Sequence, residues 1–337
     1  MKERLLWADA LKGLLILFVV FGHSIQFLSD NFASSRLWTM IYSFHNSGFM
    51  AVSGYFSFNT IVRVRGGYNS WGGVIKKRTI CLLLPFVSWS LLKFLLEMDY
   101  SLMTLFNYVY DPGCSFWFLW ALFFISVIFF ACEYLSVKLS VNDLWILLPV
   151  CFLLMGVRAI VSTNAFGIYF ICQHFFFFTL GYFINKYNLI IKSVKWIIVL
   201  VIIWAFLAWF RNSQQADDFY SIIEFVPQKV LNLMHNMLCS ICAIFALMGI
   251  SPKILNRKST VVFSLSALGT ISLGIYTCHL LLFNQLKLFL ERMNYDFGDS
   301  NFYIIVLAFV LVTVISVLIV KGFDKNKYTR KLFLGKI

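Results

Sequence analysis

Ten apolar stretches dominate this 337-residue chain, each near the ~20 residues an α-helix needs to cross the hydrocarbon core of a bilayer. They fall near 7–29, 37–61, 79–97, 116–137, 144–161, 167–185, 194–211, 229–250, 265–290 and 302–321. In lipid every backbone N–H and C=O has to be satisfied internally, so runs of this length are expected as helices. Composition agrees: 61% of the chain is hydrophobic and 13% charged, against about 45–50% and about 25% in a soluble domain. The expected fold is an all-α integral membrane bundle of about ten transmembrane helices. It forms one domain over residues 1–337, because the longest connections, around 62–78, 98–115 and 211–228, are too short for a separate soluble domain. The first run begins with Asp9 and Lys12 and lacks a small-residue cleavage site, so it is expected to persist as an uncleaved first span.

A formal net charge of +13 raises the question of a nucleic-acid partner, and its distribution answers it. With the N-terminus in the cytoplasm, one side collects Lys2, Arg4, Arg63, Arg65, Lys76, Lys77, Arg78, Lys138, Lys186, Lys192, Lys195, Lys253, Arg257, Lys258 and the basic residues from Lys321 to Lys336. The other side collects Asp30, Glu97, Asp99, Asp111, Asp217, Asp218, Glu224, Glu291, Asp296 and Asp299. This is the bias by which membrane proteins set their orientation. The charge reports topology, with both termini cytoplasmic, and no nucleic-acid partner is expected.

Ionisable residues inside apolar spans are costly and tend to be functional. Lys12 and His23 stand eleven positions apart, which is three helical turns with about 20° left over and about 16 Å of rise. Both therefore lie on one face, and Asp9, one turn before Lys12, joins it. His45, His174, His235 and His279 all fall at a similar depth in the outer half of their spans. That pattern suggests a polar chamber walled by several helices; the plainer reading is interhelical hydrogen bonding. The same two readings apply to Asn232, Asn236 and Cys239 beside His235, and to Ser43–Ser47 and Ser53-Gly54-Tyr55 in the second span.

The connection VRVRGGYNSWGGVIKKRTI carries five cations and Gly66, Gly67, Gly72 and Gly73, a composition suited to gripping phosphates and equally to a flexible positive turn. It holds no GxxxxGK[ST] loop, so nucleotide hydrolysis has no support. The eight cysteines form no framework, and Cys239-x-x-Cys242 lacks a second pair, so no metal is expected. No internal repeat of the kind many transporters carry is visible.

Six short patterns in order give the chain a resemblance to the membrane acyltransferase-3 family, in particular its sugar O-acetyltransferase branch. They are Lys12 with His23; Phe44-His45 with Ser53-Gly54-Tyr55; Lys77-Arg78 leading to Leu83, Pro85, Phe86 and Trp89; Trp117 to Phe123; Phe178 to Tyr182; and Tyr276 with His279. Two positions depart from the family pattern: Lys12 stands where arginine is usual, a point charge in place of a fork, and Cys81 stands where a second arginine often follows Arg78.

The resemblance implies transfer of an acetyl group from cytoplasmic acetyl-CoA to a hydroxyl of a surface glycan or its lipid-linked precursor, in a bacterial inner membrane. Acetyl-CoA is then a substrate, and no bound cofactor is expected. His23 becomes the general base, with a side chain that ordinarily titrates near neutrality. His45 and His279 orient the acceptor or stabilise the oxyanion, and Lys12, Asp9, Lys77 and Arg78 serve the donor. Two other readings stay open on the residues alone. One is an exporter or flippase for a glycan or small solute. The other is a catalytically silent family member within a glycan-synthesis complex. The oligomeric state is not determined, and a homo-oligomer is compatible with the sequence.

Overall fold

The computed structural model describes residues 5–97, 100–211, 213–221, 223, 225–295 and 302–336. Lys2, Arg4, Asp99, Glu224, Asp296 and Asp299 lie outside the described residues. Among the described residues all regular elements are helices and no strand occurs. In order the α-helices are α1 (Leu6–Phe27), α2 (Arg36–Tyr42), α3 (His45–Arg65), α4 (Trp71–Arg78), α5 (Leu84–Glu97), α6 (Leu102–Tyr110), α7 (Trp117–Lys138), α8 (Leu144–Ile160), α9 (Ile168–Lys186), α10 (Val194–Phe210), α11 (Gln214–Ser221), α12 (Gln228–Ile254), α13 (Thr260–Thr270), α14 (Ser272–Arg292), α15 (Phe302–Lys325) and α16 (Lys327–Leu334). A π-turn at Thr79–Leu83 makes α4 and α5 one continuous rod.

Among the described residues, seven helical segments are long and apolar enough to cross a membrane: Leu6–Phe27, Trp71–Glu97, Trp117–Lys138, Ala165–Lys186, Gln228–Ile254, Ser272–Arg292 and Phe302–Lys325. Three shorter apolar helices, Leu144–Ile160, Val194–Phe210 and Thr260–Thr270, accompany them. Two of the ten expected spans are broken. The stretch 265–290 divides at Ile271 between α13 and α14. The stretch 37–61 divides after Tyr42, and its longer part, α3, is rich in Ser, Asn and Thr.

The break at Ser43 is stabilised by its neighbours. The Ser240 hydroxyl donates to the Ser43 carbonyl at 2.6 Å, and the Trp204 indole donates to the Ser43 hydroxyl at 2.9 Å. A helix can be interrupted at membrane depth where adjoining helices satisfy the released backbone groups.

The chain divides into two compact units. The first comprises Met1–Phe49 and Ile190–Lys321, the second Met50–Leu189 and Gly322–Ile337. In the first unit α1 and α13 meet backbone to backbone: a Cβ on Gly13 would lie 1.9 Å from the Leu265 carbonyl oxygen, and one on Gly269 would lie 1.8 Å from that of Asp9. In the second unit α3 and α9 meet in the same way. A Cβ on Gly54 would lie 1.8 Å from the Phe178 oxygen, and one on Gly181 would lie 1.9 Å from the Ala51 oxygen. The Ser53-Gly54-Tyr55 and Phe178–Tyr182 patterns are thus two halves of one helix contact, of the small-residue type that drives association in lipid.

The second unit also holds a charge network around two buried carboxylates, Glu133 and Asp143, with the more exposed Arg65 and Lys186 as their cations. Arg65 donates to Glu133 at 2.8 Å and stands 3.9 Å from Asp143, while Lys186 and the Tyr182 hydroxyl both donate to Asp143. In the same unit α16 folds back on α5, where the Trp89 indole donates to the Phe333 carbonyl at 2.8 Å.

Candidate active site

The site in the first unit is assembled from α1, α2, the start of α3, and α14. Its centre is His23. The imidazoles of His23 and His279 lie with centroids 5.2 Å apart, and the Tyr42 ring lies 6.1 Å from His23 and 4.6 Å from His45. His45 and His279 are 1% and 0% exposed. Phe27 and Phe283 stack at 5.6 Å beside His23 and His279, and Trp38 stacks on Tyr42 at 4.2 Å. These rings form an apolar wall around a small set of polar atoms.

Hydrogen bonds define the tautomers. His45 Nδ1 lies 2.7 Å from the Ile41 carbonyl, and His279 Nδ1 lies 2.8 Å from the Ile275 carbonyl. A carbonyl only accepts, so in each ring Nδ1 carries the proton and Nε2 presents a lone pair in the neutral form. The Nε2 atom of His279 is buried without a hydrogen-bond partner. Around His23, the Tyr42 hydroxyl donates to Gln26 Oε1 at 2.5 Å, and Tyr42 Oη lies 3.4 Å from His23 Nδ1. With the tyrosine proton committed to Gln26, His23 Nδ1–H donates to Tyr42 Oη and Nε2 is again the basic atom. This is the arrangement of a base whose far nitrogen is held by an orienting group.

The sequence-predicted residues fall into two sets. His23, His45 and His279 come together. Asp9 and Lys12 form an ion pair of 2.6 Å on α1, near the end opposite His23. Lys77 and Arg78 belong to α4 in the second unit. Lys77 is exposed. Arg78 is half-buried, donates to the Ser57 hydroxyl at 3.2 Å and stands 5.8 Å from the Phe130 ring centroid. The other two histidines are fastened elsewhere. His235 Nε2–H donates to the Leu207 carbonyl at 2.8 Å while Nδ1 meets the Tyr220 hydroxyl, which ties α12 to α10 and α11. His174 lies in the second unit, with Nδ1–H on the Phe170 carbonyl.

Tyr42 and Gln26 are the site residues that sequence reasoning missed. Gln26 is three positions after His23 and Tyr42 three before His45, the spacing at which helix neighbours share a face. For Tyr42 that spacing crosses a helix break, yet its ring still lies 4.6 Å from that of His45.

An acyltransferase domain family model, that of acyltransferase 3, matches residues 5–321. Two curated relatives are nodulation proteins NolL. The one from Sinorhizobium fredii (strain NBRC 101917 / NGR234) is 34% identical over 141 residues, covering 38% of this chain and 37% of that protein. The one from Mesorhizobium japonicum (strain LMG 29417 / CECT 9101 / MAFF 303099) is 29% identical over 243 residues, covering 67% of this chain and 62% of that protein. The chain thus spans less than two thirds of the length of either relative. No solved structure matches it. The family match covers nearly the whole of a helical chain with seven described segments long and apolar enough to cross a membrane, so this chain belongs to the acyltransferase-3 family.

Proposed function

We propose that the protein transfers an acetyl group from cytoplasmic acetyl-CoA to a hydroxyl of a cell-surface glycan or its lipid-linked precursor, acting as one integral domain of the plasma membrane with both termini cytoplasmic. The observation that carries this reading is the cluster in which His279 lies beside His23 and Tyr42 lies between His23 and His45, with Nε2 the proton-accepting atom of each ring.

His23 Nε2 takes the proton of the acceptor hydroxyl as its oxygen attacks the thioester carbonyl. The tetrahedral intermediate expels the CoA sulfur, and His23 returns the proton to it. As His23 becomes cationic, its Nδ1–H bond to Tyr42 strengthens, and Gln26 holds Tyr42 in place. Because Nδ1–H of His45 and His279 is engaged with backbone carbonyls, these rings accept hydrogen bonds through Nε2. They therefore orient acceptor hydroxyls, in preference to donating to an oxyanion. Lys12, held by Asp9, carries donor charge, and Lys77 and Arg78 are assigned to the CoA phosphates.

The test is acetyl-CoA turnover by the protein purified into lipid, wild type against His23→Ala. Release of CoA thiol that candidate glycans stimulate, and that the substitution abolishes, supports the assignment. Release that survives in His23→Ala removes His23 as the base, and a folded wild type that releases no thiol with any acceptor overturns the transferase reading.

A further inference from the structure

Among the described residues of the second unit the buried carboxylates Glu133 and Asp143 meet cations, whereas the buried Arg158 meets no anion. Glu133 and Asp143 share Arg65 and Lys186. Arg158, near the end of α8, is 9% exposed and makes no ion pair among the described residues. Its guanidinium lies over the Tyr169 ring, 3.4 Å from the centroid, and its Nε donates to Gln173 Oε1 at 3.3 Å. Tyr169 and Gln173 are one turn apart on α9, so a single helix face holds the guanidinium plane. The π-face offsets part of the cost of burying the charge. One of five N–H donors is engaged by Gln173, and the fork of terminal nitrogens remains for a planar or tetrahedral oxyanion.

The α8–α9 connection holds a buried polar atom without a hydrogen-bond partner among the described residues, and α9 carries aromatic rings beside Tyr169. In the connection between α8 and α9, Asn164 Oδ1 is buried without a partner, while its Nδ2 is fixed by Asp111 at 2.9 Å. Next to Tyr169, Phe170 stacks on Trp117 at 4.3 Å, and His174 lies 5.3 Å from the same Trp117.

We infer that Arg158, held by Tyr169 and Gln173, is the anchor of a phosphate-binding subsite at the α8–α9 end of the second unit. The phosphate belongs either to a bilayer phospholipid or to an isoprenoid-linked sugar carrier; the latter source alone rests on the acceptor proposed above.

The experiment measures affinity by native mass spectrometry on delipidated full-length protein in neutral detergent. The probes are short-chain phosphatidylglycerol, farnesyl phosphate, and uncharged farnesol as the control. Loss of a charge-assisted bidentate contact predicts that Arg158→Gln weakens a phosphate probe by about tenfold or more and leaves farnesol unchanged. An effect confined to phosphatidylglycerol assigns the site to the bilayer, and one confined to farnesyl phosphate assigns it to a carrier. Equal affinity of wild type and Arg158→Gln for both phosphates, or no phosphate binding by wild type, overturns the inference. Arg158→Lys, which keeps the charge and loses the fork, is read where Arg158→Gln does not purify folded. A loss of about threefold or more is expected, and unchanged affinity likewise overturns the inference. Because the readout is binding, acetyl-transfer activity plays no part in it.

Discussion

His23 and His279, from the first and fourteenth helices, bring their imidazole centroids to 5.2 Å, and Tyr42 stands beside the pair with its hydroxyl 3.4 Å from His23 Nδ1. This places a phenol where the third member of a base–orienter arrangement belongs. Removing that hydroxyl leaves His23, the proposed base, present and poorly held. Tyr42→Phe is expected to lower kcat by about tenfold or more, as general-base contributions of 10²–10⁴ depend on orientation, with little change in the KM for acetyl-CoA. Steady-state thiol release resolves the two parameters, and an unchanged kcat would remove Tyr42 from the relay.

Gly54 and Gly181 are contact points of α3 with α9, where an added Cβ would overlap backbone oxygen at 1.8 and 1.9 Å. Backbone on both sides leaves little room to adjust. Gly54→Ala and Gly181→Ala should each destabilise the protein by about 1–3 kcal/mol, the usual cost of overpacking. The midpoint of thermal unfolding in detergent reports this, and Gly72→Ala, with nothing within 4 Å of its Cβ position, serves as the control that should scarcely shift it.

Ser240 satisfies the Ser43 carbonyl at the break between α2 and α3. Ser240→Ala strands that carbonyl at a site where Ser240 itself is 6% exposed. The expected loss is about 1–3 kcal/mol of stability, together with reduced turnover, since the break sets where Tyr42 stands. Ser240→Thr keeps the hydroxyl and should retain most of both. Measuring the melt and the rate on the same samples separates global from local damage.

Asp143, in the connection before α8, is held below the ordinary carboxyl range. Burial pushes its pKa upward, and hydrogen bonds from Lys186 and Tyr182 more than offset this. A depressed folded-state pKa stabilises the fold above the unfolded value, about 3.9, and that contribution disappears as pH falls through the lower folded value. Wild type should therefore lose stability on acidification below about pH 4 more steeply than Asp143→Asn. Parallel acid limbs for the two proteins would show that Asp143 contributes no such linkage.

Membrane character, helical class and the shared face of Asp9, Lys12 and His23 were determined by the sequence alone. Each follows from local rules: apolar length against bilayer thickness, and 3.6 residues per turn. The three histidines later found together were legible as intramembrane polar residues at similar depth, although equal depth did not separate His45 and His279 from His174 and His235. Only the tertiary structure decided that separation. It depends on which helices are neighbours and on the break at Ser43, next to Tyr42; the break is stabilised by Ser240 and Trp204, about two hundred and one hundred and sixty residues away along the chain. The same holds for the glycines of the α3–α9 contact and for Arg158 on Tyr169. An isolated sequence reveals which groups are costly to bury, whereas their partners are supplied by other helices through packing that local periodicity does not encode.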